Sequence, residues 1–140
     1  MIQAPKQAIW QLITTTKGFS QWFPEIKADC LLAERVLNFE SEGFSEQLAV
    51  FEYEEESLLG FSWADGRVIL SISETTTGET KLRFFETLPL TFPNLYLDLA
   101  GWYYVLQKLK AAAVGKTYSV KPERIKERAK ELQQQLEETE

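Results

Sequence analysis

Thr91 to Lys110 reads TFPNLYLDLAGWYYVLQKLK, and this stretch decides the fold. Leu95, Leu99, Trp102, Leu106, Leu109 and Ala113 recur at alternating steps of four and three residues, which keeps them on one face of an α-helix. Pro93 suits the first helical position, where its missing N–H is no loss. Lys108 and Lys110 lie where positive charge complements the helix dipole, and Gly115 offers a stop. At about 1.5 Å per residue the run spans on the order of 30 Å, the width of a small domain. Its back is not polar. Tyr96, Leu97, Ala100, Tyr103 and Tyr104 fall away from the main stripe, and something must cover them.

Upstream of this helix the pattern changes twice. Ala4-Pro5-Lys6 opens a helix whose apolar face is Ile9, Leu12 and Ile13, with Trp10 at its edge. Threonines are poor helix residues, so it ends among Thr14, Thr15 and Thr16 or at Gly18. Phe19 to Phe23 reads as one further turn, anchored by Trp22 and Phe23 and closed by Pro24. From Ala28 to Leu88 come short alternating runs with turn residues between them. These predict strands at Leu31 to Glu40 (bulged near Glu34-Arg35), Gln47 to Glu54, Leu58 to Trp63, Val68 to Thr75 and Thr80 to Leu88. Ala64-Asp65-Gly66 carries the Asp-Gly signal of a tight hairpin. Links this short give an antiparallel meander. Two helices, a meander and one long helix make an α+β domain with the helix laid on the sheet.

Composition narrows the function classes. The chain has 140 residues, is 44% hydrophobic and carries a formal charge of -6, which suits one globular domain and argues against a basic nucleic-acid footprint. Asp98 and Gln107 interrupt the best apolar run, so no membrane span is expected. The N-terminal segment lacks a continuous apolar signal core, and a cytoplasmic protein is the simplest expectation. With no histidine and only Cys30, Ser–His and Cys–His nucleophile pairs and histidine- or thiolate-rich metal sites are excluded. Neither metal nor cofactor is expected. Cys30 reads as a small apolar group, and Glu52, Glu54, Glu55 and Glu56 as a solvated charged connection.

Several short motifs stand in an order that resembles a known superfamily. Ala4-Pro5, Ile9-Trp10, Leu12, Thr14 and Trp22 are similar to the opening of START-like, helix-grip domains, in particular the branch related to the activator of Hsp90 ATPase. Leu59-Gly60-Phe61-Ser62-Trp63, Thr80 to Phe84 with Glu86, and Gly101-Trp102 with Leu106 and Leu109 resemble later motifs of that branch. The resemblance implies a curved antiparallel sheet gripping a long C-terminal helix, with a largely apolar cavity between them. Members of the superfamily bind lipids, polyketides or other hydrophobic molecules, and eukaryotic members of the branch stimulate the Hsp90 ATPase. The resemblance brings no catalytic motif. It places residues 1–115 in the helix-grip domain and leaves 116–140 as a charged helical extension.

Two departures from the pattern matter. Only Met1-Ile2-Gln3 precede the Ala-Pro motif, where the superfamily has a full first strand. The extension is the second, with Ile125, Ala129, Leu132 and Leu136 on one narrow face. Packed on the back of the long helix, from its own chain or a second copy, it would cover the tyrosines. A homodimer through Tyr96, Tyr103 and Tyr104, or through the Ile125–Leu136 stripe, is the corresponding partner expectation.

The cavity candidates are Phe61, Trp63, Phe84, Leu99, Trp102 and Leu106, drawn from sheet and helix positions that face each other. The plainer alternative is that they fill a dry core. Asp98 lies one turn before Trp102 on the flank of the stripe, and Glu86 shares a strand face with Leu82 and Phe84. A carboxylate buried there must find water, an arginine or a ligand hydroxyl. The expected partner is a small apolar or aromatic molecule, with Asp98 and Glu86 as polar anchors. A co-chaperone-like protein contact is the second expectation, and an enzyme acting on a hydrophobic substrate the third.

Overall fold

Alternation of apolar and polar residues from Val36 onward produces the meander. The computed structural model describes residues 1–139, with side chains through residue 135. Strands β1 (Ile26–Lys27), β2 (Val36–Ser41), β3 (Phe44–Glu54), β4 (Leu58–Trp63), β5 (Gly66–Glu74) and β6 (Thr80–Thr87) pair in chain order into one six-stranded antiparallel sheet. Register shifts between Val50 and Glu52 of β3, and such a bulge bends the strand and adds twist. The sheet curves around α4 (Leu95–Ala113), in the manner of a helix-grip fold. Leu37, Leu48, Leu59, Phe61, Val68 and Leu70 of the inner face are buried against Trp102 and Leu109 of α4 and Ile9 and Ile13 of α1 (Lys6–Thr14). Each such side chain contributes on the order of 1.5–3 kcal/mol by leaving water.

The N-terminal segment fastens to the far side of the sheet. Ile2 makes an isolated antiparallel bridge to Thr80 on β6, the two exchanging backbone hydrogen bonds of 2.7 and 2.9 Å. The Thr80 hydroxyl, fully buried, donates to the carbonyl of Ala4. Helix α2 (Thr16–Phe19) follows α1 after a break at Thr15, whose side chain accepts from the Gly18 N–H. Gly18 is required there, because a Cβ would run into the backbone of Gln11 and Leu12.

Two local expectations are corrected, one strand is added, and the expected Asp-Gly hairpin is present with its loop one residue earlier. Leu31 to Glu40 is not one strand: α3 (Leu31–Glu34) is a helical turn that buries Leu31 and ends at Arg35 in the left-handed region, φ 55°. Strand β1 was not anticipated, since two residues are too few to show alternation; Ile26 pairs with Phe39. The hairpin loop between β4 and β5 is Ala64-Asp65, with φ 50° at Ala64, and Gly66 already pairs with Trp63. Gly66 is dictated by packing, because a Cβ would collide with the carbonyl oxygen of Thr87. Finally, α4 begins at Leu95 rather than at Pro93, because Asn94 stands in the left-handed region at φ 60°.

The same chain covers part of the back of α4, burying Ala100 and Tyr104 while Leu97 and Tyr103 stay exposed. Gly115, at φ 73°, closes α4 with a bond from the Lys116 N–H to the Ala111 carbonyl, the αL stop that glycine makes possible. The chain then returns as α5 (Pro122–Thr139), which packs along α4. Ala100 and Tyr104 are buried yet stand apart from the main core. The Arg128 guanidinium lies 4.4 Å from the centre of the Tyr103 ring, and Tyr104 stacks near Tyr118. Ile125, Ala129 and Leu132 of the extension's stripe are half-buried, and the Leu136 side chain lies outside the described residues. Among the described residues no helix is long and apolar enough to cross a membrane.

Candidate functional site

Trp63 ends β4 and Asp98 stands in the first turn of α4, so sheet and helix meet at these two side chains. The Trp63 indole Nε1 donates to Asp98 Oδ1 at 2.9 Å. Around this bond the rings assemble edge to face: Trp63 lies 5.1 Å from Trp102, 5.7 Å from Phe39 and 5.8 Å from Phe23, centre to centre. Phe84 of β6 closes on Trp102 at 5.0 Å. Tilted contacts of this kind contribute beyond the area they bury. They leave little room in the middle of the grip. The helix is held by packed rings.

Open space remains at the edge of this cluster, on both sides of the Trp63–Asp98 bond. One cleft, of about 210 Å³, is lined by Phe39, Leu48, Trp63, Phe92 and Asp98, with Glu46 on its wall. The other, of about 160 Å³, is lined by Phe23, Trp63, Asp98, Gly101, Trp102 and Val105. Both are predominantly apolar and share Trp63 and Asp98. Phe92 reaches its cleft because α4 starts late: Thr91 to Asn94 stay outside the helix. Gly101 contributes an open wall, having no neighbour within 4 Å of where a Cβ would sit.

Behind the rings two carboxyl groups meet. Glu86 follows Phe84 on the same face of β6, and its carboxyl is adjacent to that of Asp98. Removal from water, then the hydrogen bond to Asp98 and the closeness of that charge, raise Glu86 from the usual 4.5 to about 9. With both groups ionised, the two Glu86 oxygens and Asp98 Oδ2 would be shielded from solvent without a donor. A proton retained by Glu86 supplies that donor. Trp102 is 3% exposed and its Nε1 has no partner among the described residues.

The structure thus gathers Trp63, Phe84, Glu86, Asp98 and Trp102 of the predicted candidates. The other three lie elsewhere. Phe61 is fully buried in the core and lines neither cleft. Leu106 lines a separate depression with Ile2, Leu82 and Phe84, and Leu99 is half-buried outside both clefts. Phe23, Phe39, Phe92 and Val105 were not proposed as cavity residues. Of these, Phe39 was within reach of sequence reasoning, since it alternates with Leu37 toward the inner face. Elsewhere, Cys30 is half-exposed rather than buried, and Glu52, Glu54 and Glu55 are solvent-exposed.

A larger groove, of about 520 Å³, lies at the other end of α4 between Gln21, Trp22, Lys108, Lys116 and Tyr118. It is more polar than the clefts at Trp63, and Trp22 is already committed there, its Nε1 donating to the Leu12 carbonyl at 2.7 Å.

Comparison with known proteins gives structural relatives. No family model matches the chain, and no curated protein does either. Among solved structures, a conserved protein of unknown function from Enterococcus faecalis is 32% identical and superposes with a TM-score of 0.85 over 99% of this chain and 82% of that one. The Aha1 dimer from Colwellia psychrerythraea is 19% identical, TM-score 0.66, over 80% of this chain and 90% of that one. CalU16 from Micromonospora echinospora is 23% identical, TM-score 0.68, over 92% and 79% respectively. The last two likenesses are of fold.

Proposed function

Because the chain belongs to one family with the conserved Enterococcus faecalis protein of unknown function, we propose its role from its own site: it binds a small apolar or aromatic molecule at the Trp63–Asp98 clefts. The observation that carries this reading is the pairing of open, ring-lined space with a few polar groups. Binding pockets are mostly hydrophobic, with a small number of polar atoms that fix orientation. Here Asp98 serves both clefts, and Glu86 lies behind it as a protonated carboxyl. Each cleft alone is the size of one ring or a short branched chain, so the occupant is compact. It rests against Phe39, Trp63 and Phe92 on one side or Phe23 and Trp102 on the other. The rings offer contact area, and Asp98 offers a polar anchor.

Native mass spectrometry of freshly purified protein tests the proposal. A retained molecule of a few hundred daltons or less is expected, and Val105→Phe, which fills the smaller cleft, should lower its occupancy without changing the melting temperature. Retention unchanged by cleft-filling variants would place the binding elsewhere.

A second reading, a protein contact of the kind suggested by the Aha1-like fold, has one observation in its favour. Phe51 and Phe85 project from the outer face of the sheet at 42% and 54% exposure, and Arg67 lies over the Phe51 ring. Phe51→Ser with Phe85→Ser should abolish such a contact, whereas Val105→Phe should leave it intact.

A further inference from the structure

The two ends of α4 differ in electrostatic sign. Among the described residues, the groove beyond Trp22 is lined by Lys108 and Lys116 and by no carboxylate. The clefts at Trp63 are lined by carboxylates and, among the described residues, by no lysine or arginine. Three ring systems, those of Phe39, Trp63 and Phe92, wall the larger of them, with Leu48 completing the apolar surface. Asp98, from α4, presents an oxygen that accepts one hydrogen bond from Trp63. Glu46, from β3, is exposed at the rim. Glu86, from β6, is the third acid and stands behind Asp98, where it keeps its proton to about pH 9. Aromatic faces with an acid among them attract cations: the ring quadrupole is negative on its face, and desolvation strengthens the attraction. An anionic ligand would meet Asp98 and Glu46 with no lysine or arginine among the described lining residues.

We infer that the occupant of the Trp63 cleft is a small organic cation, an ammonium group carrying apolar or aromatic substituents. This rests on the binding role proposed above and narrows it to a ligand class. The ammonium sits between the rings of Phe39, Trp63 and Phe92 and takes Asp98 as its counter-charge. Its apolar part lies along Leu48 or enters the adjoining cleft beside Trp102 and Val105. The overall charge of -6 draws cations toward the protein as a whole. Glu46 does so locally.

Two probes of nearly identical shape separate the charge from the shape: phenyltrimethylammonium and tert-butylbenzene. Titrations followed by tryptophan fluorescence at neutral pH and low salt should show the cation binding about tenfold or more tightly. Glu46→Gln, an exposed change, should weaken the cation about threefold and change tert-butylbenzene affinity by much less. Added salt should weaken the cation alone. Asp98→Asn, checked for an unchanged circular dichroism spectrum, should remove most of the preference. Equal or tighter binding of tert-butylbenzene would overturn the cation inference and leave the apolar-binding role standing. Binding of neither probe would overturn both.

Discussion

Glu86 holds a proton in the folded protein over a pH range in which the unfolded chain has released it. The sign follows directly. Stability from this group is present in full below about pH 4.5, falls as pH rises, and is lost once pH passes the folded value of about 9. Glu86→Gln keeps a donor facing Asp98 without the charge. It should therefore stabilise the protein at pH 8 by about 1–2 kcal/mol, discounted for partial solvation, and change little at pH 4.5. Thermal unfolding of both proteins across this range checks it; parallel pH profiles would contradict the shared proton. Trp63→Phe keeps a ring but removes the donor to Asp98 Oδ1, and should cost about 1.5–3 kcal/mol, as for a hydrogen bond to a charged acceptor. At this scale the sequence was informative about acids and weak about neighbours. Asp98 and Glu86 stood out because periodicity set them beside apolar faces. Their mutual contact did not, because it joins α4 to β6 across the sheet, a distance no local pattern encodes.

Strands and helices in this chain were legible where apolar periodicity ran long. The alternation in β4 and the stripe of α4 each span enough residues to fix both type and facing. Failures came where a single backbone conformation overrides the pattern. Arg35 and Asn94, both in the left-handed region, convert a predicted strand start into a helical turn and delay α4. The second of these frees Phe92 to wall the cleft, so one part of the site hidden from sequence reasoning is made by a turn. Two glycines give opposite predictions. Gly66→Ala should destabilise by about 1–3 kcal/mol or more, since a Cβ there meets the Thr87 backbone, which cannot move without opening the β5–β6 ladder. Gly101→Ala, in the interior of α4 with free space around it, should stabilise by about 0.5–1 kcal/mol. The same change narrows the smaller cleft. Denaturant unfolding of the two variants distinguishes a packing role from a purely conformational one.

Across the whole molecule, α4 is held on both sides. Its inner face closes on the sheet, and its outer face is partly covered by α5, with Ala100 and Tyr104 buried and Arg128 over the Tyr103 ring. The ion pairs of Arg124 and Arg128 with Glu127 and Glu131 are exposed and contribute little; apolar cover is what matters. A chain ending at Gly115 should therefore expose Ala100 and Tyr104, melt several degrees lower and self-associate, which light scattering would detect. A truncated protein as stable and as monodisperse as the full chain would show that α5 is dispensable cover. The central claim, that the space beside Trp63 is a binding site, is open to a direct measurement, because the four tryptophans report on three separate places. Trp63 and Trp102 wall the clefts, Trp22 lines the polar groove, and Trp10 packs against Tyr53. In nitrogen-15 spectra of protein titrated with toluene, the indole N–H signals of Trp63 and Trp102 should move in a saturable way while those of Trp10 and Trp22 stay fixed. Movement of Trp22 instead, or of none of the four, would contradict the assignment.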